Sequence, residues 1–160
     1  MYKNDTIIKF NIKQNKKYDY KIDFVFSPTR SHLHSFNENP PKDWNEVYKV
    51  YYSWQIVEVF EGEPEVLFNM EVDECSCLTD LAYYIRDILY YNAKHHTIRS
   101  LGQPGSEWII KADGSIIHFE IWQDPSNQGY RFWLTRDRAE EFAKFLDQIN
   151  KYMLEHGEPI

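Results

Sequence analysis

Cysteine is nearly missing from this sequence. Its two cysteines, Cys75 and Cys77, stand two residues apart, so a disulfide between them would close a very tight, strained ring. A closed zinc site needs about four ligands, and no second cysteine pair exists to supply them. The two read as buried or inert thiols. Glycine is sparse as well, six in 160 residues, and no glycine-rich phosphate loop, nucleophile elbow, H-E-x-x-H or zinc-like spacing occurs. No apolar run approaches the roughly 18 residues that a membrane helix needs. The start, Met1–Phe10, lacks an apolar targeting stretch and alternates like a strand. The expectation is a cytoplasmic protein with no cofactor, no metal and no catalytic centre.

Positive charge is also missing from one block. From Tyr51 to Ile85 there is no Lys or Arg, against eight acids: Glu58, Glu61, Glu63, Glu65, Glu71, Asp73, Glu74 and Asp80. Residues 1–50 carry nine basic and six acidic residues, and residues 86–160 nine and eleven. The whole of the net charge of −7 therefore comes from the middle block and a slight excess after it. A field of that sign repels phosphates and attracts a basic partner. An acidic surface that serves solubility alone has the same composition.

What is present in quantity is aromatic side chains and charge, 17% and 27% of the chain, a composition that folds. Thr6–Ile12 alternates, Asn15–Lys17 turns the chain, and Tyr18–Phe26 alternates again up to Ser27-Pro28. Period-two patterning with one wet side predicts an antiparallel hairpin. A long polar connection, residues 28–45, carries His32, His34, Phe36 and Trp44. Glu46–Phe60 reads as a long strand whose phase blurs at Val57–Phe60, the mark of a bulge or bend. After the turn Glu61–Pro64, residues Glu65–Val72 return, with Val66, Phe68, Met70 and Val72 on one face and Glu65, Leu67, Asn69 and Glu71 on the other. Residues 92–104 read as an irregular link. Trp108–Ala112 and Ser115–Trp122 then flank Asp113-Gly114, which predicts a type I′ hairpin. That turn sets Ile110 against Ile117, Trp108 against Phe119, and Glu107 against Glu120, with Arg131 of the next strand close enough to relieve the two acids.

Two helices are predicted. Leu78, Leu81, Ala82, Ile85, Ile88 and Leu89 make one apolar stripe; Ala139, Phe142, Ala143, Leu146, Ile149 and Met153 make the other, in a helix capped by Thr135. Laying Leu78 on Ala139 matches the stripes and also Tyr84 with Phe145 and Tyr91 with Tyr152. The reading is α+β: one domain over 1–160, mostly antiparallel sheet with two amphipathic helices packed on it. It is an internal duplication of a strands-then-helix unit, with halves at about 1–94 and 105–156. The copies differ on their outer faces. The second helix shows Glu140, Lys144, Asp147, Gln148 and Lys151, an ordinary solvated side. The first shows Tyr83 and Tyr90, which either anchor a partner or lie under another segment.

The candidate partner-binding set is therefore Glu58, Glu61, Glu63, Glu65, Glu71, Asp73, Glu74, Tyr83 and Tyr90. In its size, acidity, strands-then-helix layout and the aromatic-acid hairpin 48–74, the chain resembles the small acidic immunity proteins of bacterial polymorphic-toxin and contact-dependent inhibition systems. No single motif carries the resemblance. It implies stoichiometric inhibition of a cognate toxin, often a basic nuclease, with no catalysis and no direct contact with nucleic acid or membrane. Two other readings stay open. One is a metal-dependent enzyme using His32, His34 or His118 with Glu107 or Glu120. The other is a small-ligand or self-associating module using Trp122, Trp133, Tyr83 and Tyr90.

Overall fold

The computed structural model describes residues 8–32, 48–72, 77–99, 106–123 and 128–156. Strand β1 (Ile8–Asn15) passes through one 3-10 turn, Lys16–Tyr18, into β2 (Tyr20–His32), followed by β3 (Tyr48–Phe60), β4 (Glu63–Val72) and helix α1 (Cys77–Tyr90). The same order then repeats as β5 (His95–Arg99), β6 (Ser106–Asp113), β7 (Ile116–Gln123), β8 (Gln128–Thr135) and α2 (Arg136–His156). Each set of four strands is its own antiparallel meander, β1-β2-β3-β4 and β5-β6-β7-β8. The architecture is α+β, with a strands-then-helix unit present twice and two sheets instead of one. The second unit starts at His95, inside the stretch read as an irregular link. Strand β5 is only five residues long and its one core residue is Ile98, too little alternation to register as a strand.

The helices form where the 3.6-residue period says. Leu81, Ala82, Ile85 and Ile88 of α1 and Ala139, Phe142, Ala143, Leu146, Ile149 and Met153 of α2 are all buried. The backbone N–H of Arg138 donates to Thr135 Oγ1 at 3.3 Å, which satisfies one of the orphan donors of the first turn. Helix α1 ends where Asn92 turns left-handed, φ 60°, a conformation asparagine tolerates. The two helices pack on each other; α1 also covers β5 and β6, and α2 covers β1, β7 and β8.

Phe142 joins the two sheets. Its ring centroid lies 5.1 Å from Phe10 and 5.5 Å from Phe24 on the first sheet, and 5.6 Å from Phe119 and 6.0 Å from Phe132 on the second. Trp54 of β3 stacks between Phe24 and Phe68 and meets Trp108 of β6 at 5.4 Å. One continuous apolar cluster results.

Three sequence expectations change. The β6–β7 hairpin turns on Gly114-Ser115, because Asp113 pairs with Ile116. Gly114 alone adopts positive φ there, 58°, the requirement of a type II′ turn. Register moves by two residues: Ile110 faces Phe119, Trp108 faces Ile121, Glu107 faces Trp122 and Glu120 faces Ile109. An even shift keeps every side chain on its face, so the core survives and only the opposition of Glu107 and Glu120 is lost. On the other side of β7, Arg131 does pair with Glu120, Nη2 to Oε1 at 3.3 Å. Strand β2 runs on through Pro28 to His32, pairing Pro28 with Tyr52. Among the described residues β1 pairs with β2 up to Phe26, and Pro28 lies beyond that stretch of ladder. Residues 33–47, including His34, Phe36 and Trp44, lie outside the described residues. Among the described residues no helix is long and apolar enough to cross a membrane.

Candidate functional site

The site is made by a bulge. The β3–β4 ladder pairs Ile56 with Phe68 and then Val57 with Val66, which leaves Leu67 as an extra residue. An inserted residue reverses the alternation of everything beyond it. The sequence pattern puts Val66 with Phe68 and sets Glu65 on the opposite face; the bulge does the reverse. Val66 is 51% exposed and Phe68 2%, while Glu65 pairs with Glu58 and Glu63 with Phe60. The acids at the tip are thereby turned onto the face of the first sheet that carries Trp54, Ile56 and the core.

The connecting turn is strained in the same place. Glu61 and Gly62 have φ of 51° and 82°, both positive, as a two-residue type I′ loop demands. Glu61 N–H donates to Asp19 O at 3.0 Å, tying this turn to the β1–β2 turn. Left-handed backbone costs a residue such as glutamate about 1 kcal/mol, and asparagine much less. Glu61→Asn is therefore expected to raise stability by up to about 1 kcal/mol in urea denaturation. A loss of stability would mean that the Glu61 side chain stabilises the fold.

Tyr20, Glu58, Phe60, Glu61, Glu63 and Glu65 border an open groove of about 910 Å³. Among the described residues its lining holds no basic side chain. Tyr20 Oη donates to Glu58 Oε2 at 3.0 Å, and the Tyr20 ring meets Phe60 edge-on at 6.5 Å. Burial, followed by Glu58, raises the Tyr20 pKa above its ordinary value. Strand β8 lies against both β1 and β4, the two edges of the first sheet, so it crosses that sheet and brings Tyr130 near Tyr20 and Glu58. Burial, with smaller contributions from Tyr20 and Glu58, pushes the Tyr130 pKa from 10.0 up to about 12.

A pKa raised in the folded state means the folded protein holds the proton longer than the unfolded chain. The contribution of Tyr130 to stability is thus whole below pH 10 and is lost as pH rises through about 12. Tyr130→Phe should flatten the fall in urea midpoint over that window relative to the parent protein. Identical pH profiles for the two would show that Tyr130 does not couple to folding.

The other predicted site residues are placed elsewhere or not described. Glu71 lies on β4 opposite Ser53; Asp73 and Glu74 fall outside the described residues. Tyr83 and Tyr90 are exposed, 65% and 55%, but Tyr90 hydrogen-bonds Glu140 of α2, which raises its pKa. Arg86 donates to Asp147 at 2.5 Å. The outer side of α2 is thus partly occupied by α1 and is not simply solvated. All of β4 separates the Glu61–Gly62 turn from α1, and among the described residues no hydrogen bond, ion pair or ring contact joins Tyr83 or Tyr90 to the groove acids. Tyr20, Phe60 and Tyr130 were missing from the sequence set. The phase shared by Tyr20 and Phe24 was a signal for the first; only the crossing of β8 reveals the last.

The histidines divide as well. His118 Nε2 lies 3.3 Å from Asp113 Oδ2 on the exposed side of the second sheet. His96 Nε2 lies 2.6 Å from Asp87 Oδ2, with its ring 4.4 Å from that of Tyr84, which fastens β5 to α1. Among the described residues no three His, Cys, Asp or Glu side chains come together as a metal site. His32 belongs to β2, at a backbone position opposite Tyr48. Compared with protein-family models, with curated proteins and with solved structures, the chain finds no match in any of the three.

Proposed function

We propose that this chain is a non-catalytic protein-binding protein, an immunity-type inhibitor that occludes a basic toxin with the acidic, aromatic groove at the β3–β4 tip. The observation that carries the reading is the composition of that groove. Four carboxylates, Glu58, Glu61, Glu63 and Glu65, share one concave surface with the rings of Tyr20 and Phe60, and its described lining contains no cation. Carboxylates steer a basic partner into encounter, and aromatic rings supply contact area once water is expelled. The left-handed Glu61 supports the same reading, since a residue held in a costly conformation at a surface tip serves something other than stability. Occlusion asks only for a rigid surface, and the groove is built on a sheet whose other end is packed core.

The groove narrows the set first drawn. Glu58, Glu61, Glu63 and Glu65, with Tyr20 and Phe60 added, form one surface; Tyr83 and Tyr90 form another on α1. The experiment is retention of proteins from lysate of the source cell on the tagged chain, at low and at high salt, read by mass spectrometry. A basic protein held at low salt and released at high salt supports the reading. Retention that is indifferent to salt, or of no basic protein, counts against it.

A further inference from the structure

We infer that a second cleft, between β1 and β8, is a binding site for a small aromatic carboxylate, one ring bearing one anionic group. The cleft has a volume of about 210 Å³, with Ile12, Lys13 and Ile22 on one wall and the four consecutive residues Tyr130–Trp133 on the other. Side chains alternate along a strand, so a cavity touched by four residues in a row runs along the strand's edge and not over one face. Strand β7 occupies one edge of β8, and among the described residues no strand pairs with its other edge. The cleft opens on that second edge, whose backbone N–H and C=O groups point away from the described ladder. On the facing wall Ile12 is the residue skipped between the pairs Asn11–Asp23 and Lys13–Ile22. Asn11 Nδ2 holds that bulge, donating to Lys13 O, Ile22 O and Asp23 Oδ1.

Charge names the class of ligand. Among the described residues the lining contains two cations, Lys13 and Arg131, and no carboxylate. Among the described residues Lys13 has no acid within ion-pair distance; its ammonium lies 6.0 Å from the centre of the Tyr20 ring. Arg131, largely exposed, contacts Glu120 at 3.3 Å and stands over the Trp122 ring at 5.8 Å; the Glu120 bond uses one of its five donors. Tyr130, Phe132 and Trp133 supply rings, and among the described residues Trp133 is left 58% exposed. Volume sets the size. Sites for drug-sized ligands run to roughly 300–1,000 Å³, so this one suits a single ring and excludes a nucleotide. Tyr130 lines the cleft and Tyr20 the acidic groove, one cationic and one anionic, and neither inference depends on the other.

The test is titration of the isotope-labelled full chain with benzoate, followed by NMR, with benzyl alcohol and benzylammonium as matched probes. Benzoate should shift the Trp133 indole and the backbone of residues 130–133 saturably. For a ligand of about nine heavy atoms a dissociation constant on the order of 1 mM is expected. The alcohol and the ammonium should bind at least tenfold more weakly. Lys13→Ala should weaken benzoate about tenfold and leave the alcohol unchanged, the loss of one charge-assisted bond. Lys13 is exposed, so this variant keeps the fold. Equal binding of benzoate and the alcohol, or no saturable shift at Trp133, would overturn the inference. So would shifts along the whole edge of β8 with an acidic peptide and none with benzoate, which would assign the edge to strand addition.

Discussion

Phe142→Ala should remove about 3–5 kcal/mol of stability, the largest loss expected of any single truncation in this chain. The reason is position. Phe142 is fully buried, and its ring touches Phe10 and Phe24 of one sheet and Phe119 and Phe132 of the other. Each of those sheets has a wet face and depends on the helix layer for its dry one. Deleting the ring leaves a cavity where both sheets and α2 meet, and rigid strands on two sides limit collapse into it. A domain of this size holds about 5–15 kcal/mol in all, so the variant should sit near the threshold of folding. Its Tm should fall by about 10 °C or more. Calorimetry or urea denaturation reads the effect, and a loss under about 1 kcal/mol would show that the sheets are held together elsewhere.

The second large effect is on association and leaves the fold intact. Replacing Glu61, Glu63 and Glu65 by Lys moves the net charge from −7 to −1, since each replacement adds two units. All three are exposed, and among the described residues no hydrogen bond or ion pair to their side chains holds the hairpin. Stability should change by less than about 1 kcal/mol, while the association rate with a basic partner falls by about 10- to 1,000-fold at low salt. The loss should shrink as salt screens the field, because the Debye length drops from about 10 Å at 0.1 M to about 3 Å at 1 M. A variant that associates as fast as the parent at low salt would remove electrostatic steering from the account.

Much of the fold was legible because local period and burial agree. The stripes Leu81–Ile88 and Ala139–Met153, the Thr135 cap and the strands-then-helix repeat could be read directly from spacing. The site was legible only in part, and the reason is a single residue. A bulge at Leu67 reverses the face of Glu63 and Glu65, and strict alternation has no symbol for an inserted residue. The β6–β7 turn was misassigned as well, by one residue. Asp113-Gly114 looks like the type I′ turn, yet the loop with two positive φ angles is Glu61-Gly62, whose first residue is a poor choice for it. Tyr130 was out of reach for another reason. Its approach to Tyr20 and Glu58, 110 and 72 residues earlier in the chain, depends on β8 crossing the first sheet, and no local pattern encodes that.

The most direct measurement of the central claim compares two charge reversals of equal size in one capture experiment. One variant carries Lys at Glu61, Glu63 and Glu65; the other carries Lys at Asp113, Asp137 and Glu155, which are exposed and away from the groove. Both have a net charge of −1, three Glu or Asp residues having each become Lys. If the groove is the binding surface, the first variant loses the basic protein that the parent chain retains at low salt, and the second keeps it. Equal loss from both would mean that net charge alone attracts the partner, and retention by both would mean that it binds elsewhere; either result contradicts a binding site at the β3–β4 tip.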